Sequence, residues 1–144
     1  MDEKQKKLAE NRLKDGWIKS TMIIEVLAVN KEAAESALKK HVEKIHHEEN
    51  TMVLDERYHD TREVKNPVPN IESGFSQIVD VDILTRDFDQ LVRVVVSYAP
   101  SSIEILEPEE IRLDMGEAQG ILNSIAELIH KFAAAGLGGV MVSS

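Results

Sequence analysis

The sequence contains no cysteine among its 144 residues. Disulfides, thiolate catalysis and cysteine-based zinc or iron–sulfur sites are therefore excluded. Aromatic residues make up only 4% of the chain, so there is little material for stacking on nucleic-acid bases. The formal net charge is −9, and a field of that sign repels phosphate. We therefore expect no nucleic-acid partner.

Long apolar runs are missing as well. No stretch approaches the roughly 20 residues that span a bilayer, so we expect no membrane partner. The residues from Met1 to Lys7 lack the apolar middle of a secretory signal, which favours a cytoplasmic protein. We expect a polar leader or helix over residues 1–16, one domain over residues 17–136, and an apolar tail over residues 137–144. The tail suits either an extra strand or a swapped arm.

The stretch from Asp87 to Arg112 organises the rest of the chain. Asp87 is a good helix N-cap, and Gln90 stands three residues later, as in a capping box. The following apolar residues have helical spacing, although the run Val94–Val96 suits a strand equally well. We predict a helix that ends near Tyr98. The helical face consists of Phe88, Leu91, Val92 and Val95.

The other predicted elements follow from alternation, helical periodicity and caps. They are a strand over Trp17–Val29, a helix over Lys31–Glu48, a polar edge strand over Thr51–Val64, a loop over Lys65–Gly74, a strand over Phe75–Thr85, a strand over Ser102–Leu106, and a last helix from Asp114 to about Ala135. Its predicted inner face is Ile121, Ile125, Leu128, Ile129 and Phe132.

This order predicts an α+β, ferredoxin-like βαββαβ sandwich with an additional C-terminal helix. Such a sandwich has a four-stranded antiparallel sheet with its helices on one face. We expect the first and third strands to be central, because they are the most apolar. The other sheet face is then open.

Alternation assigns several charged side chains to that open face. Asp80 and Asp82 lie two residues apart on one strand, about 7 Å from each other. Glu25, Arg57 and Glu104 are expected to join them from the other strands. The functional interpretation is a binding site for a small effector between subunits. The alternative is a solvated sheet face that takes part in an oligomer contact.

A second candidate site contains imidazoles. Glu43, His46 and His47 lie near the end of one predicted helix, and His59 follows on the next strand. These residue types can bind a metal ion. Imidazoles also suit a helix C-terminus, where the helix dipole favours positive charge. No cofactor motif accompanies these residues, and we expect no cofactor.

The segment Ser101–Arg112, preceded by Phe88-x-x-Leu91 and Tyr98, resembles the end of the WYL-associated C-terminal domain of bacterial transcription regulators. At the level of the fold the chain is also similar to ACT-type amino-acid-binding modules. Both resemblances imply a ferredoxin-like fold. The chain has no helix-turn-helix and no Trp-Tyr-Leu signature, so the function of a transcription regulator is not carried over. A small conserved family of unknown role is a third candidate. The segment Val29–Lys31 lacks the glycine-marked effector turn of ACT-type modules.

The sequence favours a small oligomeric regulatory or ligand-sensing module. A purely structural or protein-interaction module is the first alternative, and a metal-dependent enzyme that uses the His/Glu cluster is the second. Because no nucleophile motif is present, a non-enzymatic role is favoured. The expected partners are further copies of the chain and a small effector.

Overall fold

The computed structural model describes residues 1–135. This part of the chain forms an antiparallel five-stranded sheet and four helices. In chain order the elements are α1 (Glu3–Lys14), β1 (Ile18–Ala28), α2 (Lys31–His46), β2 (Thr51–Tyr58), β3 (Arg62–Val68), β4 (Ile71–Thr85), α3 (Phe88–Tyr98), β5 (Ser102–Glu107) and α4 (Met115–Ala134).

The strands are arranged in the order β2-β4-β1-β5, and β3 pairs with the first part of β4. The central strands are β1 and β4, as predicted from their apolar sequences. Met22 lies opposite Val81 and Ile24 opposite Val79, and all four side chains are at most 2% exposed. This pairing forms the floor of the core.

Two expectations about the sheet are wrong. The predicted edge strand Thr51–Val64 is two strands, because β2 ends at Tyr58 and β3 begins at Arg62. The segment Lys65–Gly74 is not a loop, because β3 continues to Val68 and β4 begins at Ile71. An edge strand tolerates proline, so Pro67 does not prevent pairing. Asn70 turns the chain with a φ of 73°. The sheet therefore has a fifth strand, and it differs from the simple four-stranded sheet that the sequence predicts.

Helix α2 packs on β1, β2 and β4. Its N-cap is Asn30, whose Oδ1 accepts a hydrogen bond of 2.7 Å from the Ala33 amide. The helix presents an apolar stripe to the sheet. The buried residues of this stripe are Ala34, Leu38, Val42 and Ile45.

Helix α3 confirms the prediction for residues 88–98. The backbone N–H of Gln90 donates a 2.8 Å hydrogen bond to Asp87 Oδ1 at the N-cap. Leu91, Val94 and Tyr98 are its buried residues. The buried face of α3 is rotated by part of a turn from the predicted face, since Val92 and Val95 are only partly buried.

Helix α4 packs against α3. Ile121, Ser124 and Leu128 are buried on this side. The prediction that Ile129 belongs to the inner face is wrong, because its side chain is 48% exposed. A helix that rests on one other helix buries only a narrow side of its surface, so the wide apolar arc of α4 is not fully covered.

The predicted leader is a helix, α1, with Asp2 and Gln5 forming a capping box. It contacts β4 and buries Ala9. Leu84 alternates with the core residue Ile83 and therefore points to the other sheet face, yet it is also fully buried. Helix α1 thus covers one end of the face that the sequence predicts to be open.

One expectation lies outside the described residues, namely the apolar tail over residues 137–144. Within residues 1–135, no helix is both long enough and apolar enough to span a membrane.

Candidate functional site

The open face of the sheet lies opposite α2 and α3, beyond the end that α1 covers. The register of β1 and β4 sets Asp82 opposite Thr21 and Asp80 opposite Ile23. Both carboxylates point away from the buried side chains of Val79, Val81 and Ile83. This confirms the predicted placement of Asp80 and Asp82.

Arg57 is the main cation of the open face. Its two terminal nitrogens lie 2.8 and 3.1 Å from the two carboxylate oxygens of Asp82, which makes a bidentate pair. Arg57 also donates to Asp55 Oδ2 at 2.7 Å. The hydrogen bond from Arg57 lowers the pKa of Asp82, and a hydrogen bond from Thr21 acts in the same direction. The hydrogen bond to Asp82 in turn raises the pKa of Arg57.

The other carboxylates of this face also have partners. His59 Nε2 lies 2.8 Å from Asp80 Oδ2. The Ser76 hydroxyl donates to Glu25 Oε2. Glu104 is exposed on β5, where its register partner is Thr21. Thr21 therefore lies between Asp82 and Glu104, in the middle of the three strands.

The five predicted binding residues therefore share one face, but they do not form a bare acidic surface. Arg57, His59 and Ser76 satisfy three of the four carboxylates. Carboxylates that already have such partners are less available to a free cation.

The comparison with protein families adds to this geometry. The model of the MJ0538 family matches residues 19–144. The chain belongs to the MJ0538 family. No curated protein and no solved structure matches it. The resemblance to the WYL-associated domain and to ACT-type modules is not confirmed.

The candidate metal residues of this MJ0538-family chain lie in two places. Glu43, His46 and His47 line a hollow of about 370 Å³ beside α2. His46 Nε2 lies 2.8 Å from Glu56 Oε2. His59 lies on the opposite face of the sheet, beside Asp80. Within residues 1–135, no group of three or more acidic or imidazole side chains could hold a metal ion.

Two residues beside α2 were missed in the sequence analysis. Glu56 and Tyr58 alternate with Arg57 along β2, so they point to the helical side of the sheet. The Tyr58 hydroxyl donates to Glu56 Oε1 at 3.2 Å. Burial and the nearby Glu56 carboxylate raise the pKa of Tyr58 to about 12. The alternation of β2 was the signal for this placement, because it separates Glu56 and Tyr58 from Asp55, Arg57 and His59.

Proposed function

We propose that this MJ0538-family protein is a small cytoplasmic regulatory module that self-associates and senses a ligand. We also propose that β1-α2-β2 and β4-α3-β5 are the two halves of a ferredoxin-like unit, with β3 as an insertion. The order β2-β4-β1-β5 and the antiparallel pairing support this assignment. It gives the protein one helical side, which α4 extends.

The apolar stripe of α4 is the observation that carries the proposal of self-association. Met115, Leu122 and Ile129 are 87%, 62% and 48% exposed, respectively. They are spaced seven residues apart, so they lie along one side of the helix. Burying a leucine or isoleucine side chain contributes about 2 kcal/mol. A stripe of this kind on a small protein marks an interaction surface.

A second copy of the chain fits this stripe. The positions of the stripe carry no charged residue, although charged residues make up 30% of the chain. Two stripes can therefore meet around a two-fold axis without opposing two charges of the same sign. Each copy would bury the same residues, as in an isologous dimer.

Size-exclusion chromatography with light scattering tests this arrangement. We expect the natural chain to form a dimer at micromolar concentration. The double variant Leu122→Glu/Ile129→Glu should be a monomer, because the association would bury two carboxylates from each copy. Circular dichroism should show an unchanged helix content, since both positions are exposed.

The matched control is Asn123→Glu/His130→Glu, which adds acidic residues one position further along the same helix. It should remain a dimer, because Asn123 and His130 stand beside the stripe and are exposed. A natural chain that is monomeric at micromolar concentration would refute self-association, and so would a control that dissociates as fully as the stripe variant.

A purely structural or interaction role is the second candidate. The ion pairs of Asp80 and Asp82 favour it, because paired carboxylates are less free to bind an effector. Thermal shifts over a panel of amino acids, organic anions and metal ions separate the candidates. A ligand of the folded state at 100 times its Kd adds about 2.7 kcal/mol. No shift would leave the structural role, and a metal shift that His47→Ala abolishes would favour the metal-dependent enzyme.

A further inference from the structure

A polar cleft opens on the helical side of the molecule, away from the open face. It lies between the C-terminal end of α2, the residues that connect α2 to β2, and helix α3, and Leu128 of α4 forms part of its wall. Its volume of about 750 Å³ falls within the range of small-molecule sites. Among its residues the sequence analysis named only His47 as a candidate binding residue.

The acidic residues of the cleft are largely occupied within the fold. Glu48 accepts a 2.6 Å hydrogen bond from the Tyr98 hydroxyl. Asp87 caps α3. Asp89 accepts from the Ser124 hydroxyl at 2.7 Å and from Arg93 Nε at 3.2 Å. Glu49, the fourth acid that lines the cleft, is exposed.

Most basic residues of the cleft, unlike most of its acidic residues, lack close side-chain partners in the part of the chain that the structure describes. Arg93 is held by Asp89 and Ser124. Arg86 makes only long contacts, 3.4 Å to Asp87 Oδ2 and 3.3 Å to Asn50 Oδ1, and its side chain is 58% exposed. Lys44 and His47 form no ion pair or side-chain hydrogen bond with any other residue of the described chain. Three basic side chains therefore remain available to a ligand, against one exposed carboxylate without a side-chain partner within residues 1–135, that of Glu49.

We propose that this cleft binds a small molecule with a carboxylate or phosphate group, held by Arg86, Lys44 and His47. Guanidinium and ammonium groups form their strongest hydrogen bonds with such oxyanions. A net charge of −9 repels anions in general. With three available basic groups against the single carboxylate of Glu49, the cleft is a local exception on the surface. This inference rests on the ligand-sensing part of the proposed function and does not depend on self-association.

Calorimetric titration of the full chain, with inorganic phosphate and separately with succinate, tests the proposal. We expect at least one of the two probes to bind. The double variant Lys44→Gln/Arg86→Gln should bind it at least about tenfold more weakly, because two charged donors are lost. The control Lys65→Gln/Arg112→Gln removes the same charge outside the cleft and should bind like the natural chain.

Binding of phosphate alone identifies a phosphate ligand, and binding of succinate alone identifies a carboxylate. The proposal is overturned if neither probe binds or if the cleft variant binds as tightly as the natural chain. If only neutral or cationic compounds bind in the thermal-shift panel, the anion class is wrong but ligand sensing stands. Light scattering on the same samples reports self-association separately.

Discussion

Asp82 has its two carboxylate oxygens held by one guanidinium, on a strand at the centre of the sheet. Its position on the open face followed from alternation alone. Its partner did not, because a register shift between Val53 and Asp55 on β2 sets Arg57 opposite Asp80, from where it reaches Asp82 diagonally. An irregularity of this kind depends on how two strands meet. The residues of the face were therefore predictable, and their pairing was not.

The pair has a measurable effect on acid stability. The Arg57→Gln variant should raise the pKa of Asp82 toward the ordinary value of about 4, because the main hydrogen bond that lowers it is lost. In the natural chain the lowered pKa contributes stability above pH 4, and this is lost as the pH falls through the folded-state pKa. The variant should therefore lose less stability on acidification. Carboxyl NMR titration and urea unfolding at several pH values measure both effects.

Arg112→Gln is the matched control for this prediction. Arg112 is 87% exposed and pairs with Glu110, two residues away, so its loss should leave the pKa of Asp82 unchanged. An Asp82 pKa that is equal in the natural chain and in Arg57→Gln would contradict the account of the open face.

Among the elements, α3 shows how local signals can outweigh propensity. Val94, Val95 and Val96 favour a strand, yet they are helical. The cap at Asp87 and the helical spacing of the apolar residues identified the helix from the sequence. The fifth strand was missed because its local signals favoured a loop. Pro67 and Pro69 indicated a loop. Only Pro69 lies in a turn, and the pairing of β3 with β4 shows that the exposed edge accommodates Pro67.

The cap of α3 can be tested by substitution. Asp87→Ala should reduce the free energy of unfolding by about 1 kcal/mol, because the Gln90 amide loses its acceptor. Asp87→Asn retains a side-chain oxygen at the same place and should cost clearly less. Urea unfolding of the three proteins measures the difference. If both variants lose the same amount, the capping hydrogen bond is not the cause.

At the scale of the whole molecule, the structure differs from the prediction where helices α4 and α1 pack on their neighbours. Periodicity placed Ile129 in the core because it belongs to a wide apolar arc, and the packing of α4 on α3 leaves it exposed. The buried position is taken by Ser124, which hydrogen-bonds Asp89. Similarly, the polar composition of α1 gave no sign that it covers Leu84. Which face of a helix is buried depends on the element it packs against, and the sequence pattern of the helix alone does not identify that element.

The two tyrosines extend this argument to alkaline stability, because each connects a helix end or an edge strand to a carboxylate. Burial raises the pKa of Tyr98, and its hydrogen bond to Glu48 acts in the same direction. The pKa of Tyr58 is about 12. An unfolded tyrosine titrates near pH 10. The unfolded chain therefore loses these protons first, so the stability that the two phenols contribute below pH 10 should fall as the pH rises toward 12.

Absorbance of tyrosinate should show little ionisation near pH 10 in the folded protein, and circular dichroism should show unfolding together with ionisation. Tyr98→Phe should weaken this pH dependence more than Tyr58→Phe, because Tyr98 is 7% exposed and Tyr58 is 38% exposed. Ionisation of both phenols near pH 10 with the fold intact would contradict the burial that the structure assigns to them.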